Sequence, residues 1–201
     1  ICSIILIYII LDLIMIPIRN KKKSLQVTVE EMRNFAFAYI EKYAPSKQQL
    51  KTYLLKKYLK TSVPNVKKQD VTNLIDIVLS DLEKSKFIND KFYSESKAKS
   101  MIQRGSSINK IRSYLFGKGI NNEFIKETVE KIHDENSDQD FFSAIKLCKK
   151  KRIGPARTVD NRPLFYKKDI SLLARNGFDF ETSKKVMDIE KEDYLKIINL
   201  L

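Results

Sequence analysis

Glycine and proline occur only five times each in this 201-residue chain, so it lacks the punctuation that many short strands need, and an α-rich fold is expected. Two cysteines, Cys2 and Cys148, are too few for a disulfide framework, and neither sits in a CxxC or Cys/His cluster that would bind zinc. A reducing, cytoplasmic setting fits them. His133 is the single histidine, which removes most histidine-based triads and all multi-histidine metal sites. It falls at the end of a predicted helix, where a cation is favoured beside the negative end of the dipole, and is read as structural. Acidic residues are scattered over helix surfaces without a paired-carboxylate signature, which argues against an enzyme, a metal site or a cofactor.

What the chain has in excess is positive charge, +13 net with a pI near 9.6. That predicts attraction to polyanions, whether nucleic acid, an anionic membrane face or an acidic protein surface. AT-rich coding would account for part of the Lys, Ile and Asn content without any ligand. The charge is unevenly spread: between Lys146 and Lys168 there are nine Lys or Arg residues and one acid, Asp160.

One long apolar run exists, residues 1–18, followed by Arg19, Lys21, Lys22 and Lys23. Its length is at the lower edge for spanning a bilayer, Asp12 lies mid-run at a cost of roughly 2.5 to 3.5 kcal/mol, and Pro17 interrupts its end. Neither a charged n-region nor a small-residue cleavage site marks a secretory signal. The expectation is an over-extended reading frame or a fragment with Met15 as the start, and residues 1–23 outside the folded units. A membrane anchor is the alternative.

From Thr28 the apolar spacing becomes helical. Met32, Phe35, Ala36, Tyr39, Ile40 and Tyr43 share one face, Thr28 and Glu31 form a T-x-x-E capping box, and Pro45 stops the helix. Helices over 46–60 and 70–84 complete a three-helix unit. The plan recurs with helices over 89–104, 107–118 and 122–133, where Gly105 and Gly119 fit left-handed C-terminal caps. Leu50, Leu54 and Leu55 align with Ile111, Leu115 and Phe116 at a constant shift of 61 positions, which predicts shared core positions. A third copy opens near Asp138 with Phe141, Ile145 and Cys148, and resumes at Lys167 after a loop over 153–164. There Leu173, Gly177 and Phe178 fall 58 positions after Leu115, Gly119 and Ile120, Ala174 takes the place of Phe116, and a last helix covers 179–188.

The fold expected is all-α, with tandem three-helix repeats over 28–88, 89–135 and 138–190, a helical tail over 191–201, and an elongated curved overall form. A compact bundle with accidental periodicity is the bland alternative.

The stretch 87–129 resembles the central repeat of RecX regulatory proteins. The pattern is carried by Ile88, Asp90, Phe92, Arg104, Gly105, Ile111, Leu115, Lys118, Gly119 and Ile120. Segments 149–157, KKKRIGPAR, and 172–187, LLARNGFDFETSKKVM, resemble the third repeat of alphaproteobacterial members. The match covers about residues 28–188 and leaves out 1–23. The resemblance implies a modulator of the RecA recombinase, usually an inhibitor, that lies along the groove of the RecA filament on DNA. It would suppress ATP hydrolysis and strand exchange, and so act in recombination, DNA repair and the SOS response. The chain is read as a monomer with at most weak direct DNA contact, no small-molecule substrate and no membrane partner.

Candidate contact residues are Lys149, Lys150, Lys151, Arg152, Arg157, Arg162, Lys167 and Lys168. The first four end a predicted helix, where the dipole alone favours cations. Arg157 and Arg162 sit in the loop without that explanation, so polyanion contact is assigned to them against the alternative of a solvated structural face. Reversing their charge is then expected to weaken function and leave helicity intact. Gly154 and Pro155 are read as loop breakers, since the P-loop pattern is missing. Tyr and Phe fall mainly at core spacing, which makes base stacking a minor use. The rival function is an independent helical DNA-binding protein, with 107–118 and 122–133 imitating a helix-turn-helix; three Glu residues in its recognition segment count against it.

Overall fold

The computed structural model describes residues 25–60 and 67–201, and the expectations for 1–23 lie outside them. The described residues form ten α-helices and two short 3-10 turns, with no strand. The first unit holds α1 (Val29–Tyr43), α2 (Lys47–Lys60) and α3 (Lys68–Lys84); the second α4 (Asp90–Gln103), α5 (Ile108–Gly117) and α6 (Asn122–Glu135). The third holds α7 (Gln139–Lys151), α8 (Arg162–Arg175) and α9 (Phe180–Met187), followed by α10 (Lys191–Leu200).

Local chemistry sets these boundaries. Asn89, Ser107, Asn121 and Asp179 cap their helices by accepting from the backbone N–H of Phe92, Lys110, Glu123 and Thr182. Thr28 does the same for Glu31, but the Glu31 carboxylate turns to the N–H of Gln26 instead of closing the box on Thr28. Gly105 and Gly119 leave their helices at φ +76° and +74°, the left-handed region that glycine enters without a Cβ penalty.

Each unit has its own core. Met32, Leu50, Leu54, Ile75 and Leu79 centre the first; Ile111, Leu115, Ile120 and Ile125 the second. Ile145, Cys148, Leu173, Val186 and Met187 make the third, which Tyr194 of α10 closes. Each fully buried Leu or Ile contributes about 1.5 to 3 kcal/mol. The aligned pairs Leu50/Ile111 and Leu54/Leu115 are both fully buried. The next aligned pair is not: Leu55 is half-buried, Phe116 is 68% exposed and Ala174 is exposed. One residue along a helix turns about 100° off the buried face, so the constant shift kept register without keeping burial.

Helix α8 also differs from expectation, beginning at Arg162 and not Lys167. Pro163 lies in its first turn, where a missing N–H costs nothing, so the proline starts a helix here. The preceding chain folds into 3-10 turns at Gly154–Ala156 and Val159–Asn161.

Adjacent units meet through the same joint twice. The buried Ser46 hydroxyl donates to the carbonyl of Lys118 at 2.7 Å, and the buried Ser107 hydroxyl donates to the carbonyl of Asn176 at 2.7 Å. Beside each, an aspartate from the next unit accepts the first free N–H of the middle helix: Lys47 N–H to Asp90 at 2.8 Å and Ile108 N–H to Asp140 at 2.7 Å. Gly119 and Gly177 allow the close approach, since a Cβ on either would stand 2.5 Å from Gln48 Cβ or 2.6 Å from Ser107 Oγ. Burial pushes the pKa of both Asp90 and Asp140 up, opposed by the N–H each accepts.

Candidate functional site

The basic segment of the third unit is built on two helix ends. Helix α7 stops at Arg152, which adopts a left-handed conformation at φ +54°, and Ile153 turns its side chain into the core. Lys149, Lys150 and Lys151 occupy the last turn beside the negative end of the dipole. These three and Arg152 are exposed, as are Lys167 and Lys168 on α8. None of the six pairs with a carboxylate among the described residues.

The loop arginines are placed otherwise. Arg157 grips Asp169 with two parallel bonds, Nε to Oδ2 at 2.6 Å and Nη2 to Oδ1 at 2.9 Å, while its guanidinium lies 4.3 Å from the Phe165 ring centre. Asp169 is 1% exposed and also accepts the N–H of Gly154 at 2.8 Å. Burial would raise its pKa, but the Arg157 guanidinium and the Gly154 N–H outweigh it and hold the carboxyl below its ordinary range. Arg162 donates to the carbonyls of Ile189 at 2.8 Å and Pro155 at 3.0 Å. Lys191 adds bonds to the carbonyls of Pro155 and Arg157. The two arginines therefore hold the loop down, and the six remaining cations are the ones presented outward. Gly154 does more than break a helix: its N–H donates to the buried Asp169 carboxylate.

Asp169 is the residue that sequence reasoning missed. A usable signal existed, an acid directly after Lys167 and Lys168 at an inward helical position four residues before Leu173. Most of the described Tyr and Phe are buried or half-buried, and Phe92, Phe116 and Phe180, each about 70% exposed, are the clearest exceptions.

Little in the surroundings offers chemistry. Burial and the neighbouring Asp169 push the Cys148 thiol up to about 12, so it stays protonated at neutral pH. A cleft of about 540 Å³ between α4 and α6 has a mixed rim of Glu95, Lys99, Lys131 and Glu135. Among the described residues no group of His, Cys, Asp and Glu could hold a metal, and no helix is long and apolar enough to cross a membrane.

No protein-family model matches the chain. It is 30% identical over 172 residues to the regulatory protein RecX of Myxococcus xanthus, covering 85% of this chain and 91% of that one. The regulatory protein RecX of Agrobacterium fabrum is 25% identical over 167 residues, covering 83% and 87%. Two crystal structures share the fold at a TM-score of 0.56: a regulatory protein RecX at 18% identity, covering 80% of this chain and 74% of that one, and RecX from Lactobacillus salivarius at 16%, covering 86% and 97%. With a relative at 30% identity along nearly the whole length of both chains, this protein belongs to the RecX family of regulatory proteins.

Proposed function

We propose that the chain modulates the RecA filament on DNA, chiefly by inhibiting its ATP hydrolysis and strand exchange, and so acts in the cytoplasm on recombination, DNA repair and the SOS response. Membership of the RecX family carries this reading. The tandem units support it, because a row of repeats can meet successive subunits of a long partner. Within the third unit, Lys149, Lys150, Lys151, Arg152, Lys167 and Lys168 are the contact set, exposed and unpaired with described carboxylates. Arg157 and Arg162 serve that set indirectly by fixing the loop between them. The protein acts by binding and performs no chemistry of its own.

The test is DNA-dependent ATP hydrolysis by the cognate RecA, titrated with this protein. Inhibition at well below one molecule per RecA subunit is expected, and the charge-reversal pair Lys150→Glu with Lys167→Glu should weaken it. Undiminished hydrolysis at full occupancy would overturn the reading in favour of an independent DNA-binding protein.

A further inference from the structure

The first and third helices of the first two units leave a groove to which the middle helices contribute nothing. It begins in a cleft of about 430 Å³ between α1 and the end of α3, walled by Arg33, Phe37, Lys84 and Phe87. Phe87 also borders the next cleft, of about 320 Å³, which has Ile40 and Pro45 at the end of α1 on one side and Phe92 and Lys97 of α4 on the other. Phe92 and Ser96 in turn border the cleft of about 540 Å³ between α4 and α6, where the buried Ala98 and Ile132 form the floor. Shared walls make the three clefts one path, and its stretch along α4 from Phe92 to Gln103 alone runs about 17 Å. No residue of α2, α5 or α8 lines it, nor does any of the six contact cations of the third unit.

Apolar side chains left outside the cores gather along this path. Of the five phenylalanines that are exposed among the described residues, three stand here: Phe37, Phe87 at 56% and Phe92 at 70%. The rings of Phe37 and Phe87 meet edge-on with centres 5.0 Å apart, and none of the three joins the core of its unit. The charge beside them is unbalanced. Six cations and three acids line the path, and Arg33 and Lys131 are spent on Asp81 and Glu95. That leaves Lys84, Lys86, Lys97 and Lys99 against Glu135, all five without an ion pair among the described residues.

We propose that this groove receives a linear acidic segment of a partner protein other than RecA, with bulky apolar side chains against Phe37, Phe87 and Phe92 and carboxylates beside the four free lysines. A chain of clefts with exposed aromatic walls suits the spaced anchors of a peptide and is too narrow a target for a globular face. The surplus of unpaired lysines calls for acids on the occupant. A nucleic-acid backbone carries a phosphate at every step and would run against Asp81, Glu95 and Glu135, whereas a peptide can place its carboxylates only where the lysines stand. A second copy of a chain with net charge +13 is repelled as a whole. The filament reading uses cations on α7 and α8, outside the groove, so the two stand apart.

The experiment selects random peptides of about 16 residues, displayed on phage, against the whole chain at about 0.15 M salt, and measures the most enriched one by fluorescence anisotropy after synthesis. Enriched peptides are expected to be net acidic and to carry Phe, Trp, Leu or Ile. Phe87→Ser with Phe92→Ser should weaken binding about tenfold or more, and Lys86→Gln with Lys97→Gln about fivefold. Lys126→Gln with Lys150→Gln removes equal charge from exposed positions off the groove and should cost less than about twofold. Circular dichroism checks that all three variants stay helical, and should the phenylalanine variant unfold, the two lysine variants decide. No enrichment, enrichment of neutral or basic peptides, undiminished binding by the phenylalanine variant, or equal losses in the two lysine variants would each overturn the proposal. The phenylalanine variant is also expected to act on RecA hydrolysis and to bind oligothymidylate as the unaltered chain does. A loss of the first would give the groove to the filament, a loss of the second to nucleic acid, and a dimer in sedimentation that this variant disperses would give it to a second copy; each overturns the proposal. Failure of the unaltered chain to inhibit RecA bears on the filament reading alone.

Discussion

Lys150 and Arg157 stand in the same basic segment, carry the same charge and are used in unlike ways. Lys150 closes a helix and faces solvent; Arg157 lies across a buried carboxylate, stacks on Phe165 and fixes the chain that joins α7 to α8. Composition treats the two alike. What separates them is the atom opposite: a carboxylate that is 1% exposed must be neutralised where it sits, whereas the end of a helix merely favours a cation nearby. Density of positive charge therefore overstates the interface, and subtracting the cations bound to buried partners leaves the surface that a ligand can meet.

Substitutions can break that comparison. Asp169→Ala strands both the Arg157 guanidinium and the Gly154 N–H, and a loss of about 3 kcal/mol in urea unfolding is expected; a loss below about 1 kcal/mol would mean the pair is ornamental. At the second joint, Gly177→Ala must hold φ +88° with a Cβ 2.6 Å from Ser107 Oγ, a cost of about 2 kcal/mol, while Gly117→Ala, with open space around its Cβ, should gain about 0.5 kcal/mol. Equal midpoints for these two alanines would show that the joint tolerates a methyl group. Arg162→Ala, which releases two backbone carbonyls, should cost about 1.5 kcal/mol. Lys150→Glu, by contrast, is expected to leave stability within about 0.5 kcal/mol while reducing filament inhibition. A large stability change there would place Lys150 with the loop arginines.

Acid titration sharpens the same contrast. Asp169 has a depressed pKa, so its contribution is present above the ordinary aspartate range and is lost as pH falls through the depressed value. Asp90 and Asp140 have raised pKa values, so theirs is full below that range and declines as pH rises through the raised values. The stability deficit of Asp169→Asn should accordingly grow as pH rises through the acid range, and that of Asp90→Asn should shrink. Deficits that move in the same direction would contradict the two environments assigned here.

Much of the fold was legible because it is written locally. Thr28, Gly105 and Gly119 mark helix ends through their own backbone preferences, and Leu50, Leu54, Ile111 and Leu115 repeat at helical spacing. What escaped depends on partners distant in the chain or on a residue's exact turn. Pro163 falls within the loop expected over 153–164 until its place in the first turn of α8 is known. Phe116 keeps the repeat register yet rotates outward. Arg157 looks free because its partner lies twelve residues on, just beyond the stretch that draws notice for its charge. The joints are less legible still, since Ser46 and Lys118 are 72 positions apart and nothing about an isolated serine announces a carbonyl it will meet.

Those joints also decide how damage travels. A hydroxyl, a carboxylate and a missing Cβ locate each unit against its neighbour at both joints. Position is thus inherited from neighbour to neighbour, as in a row of linked levers. A lesion inside a core weakens one unit in place, whereas a lesion at Ser46 or Ser107 redirects everything mounted beyond it and misaligns distant surfaces whose own residues are intact.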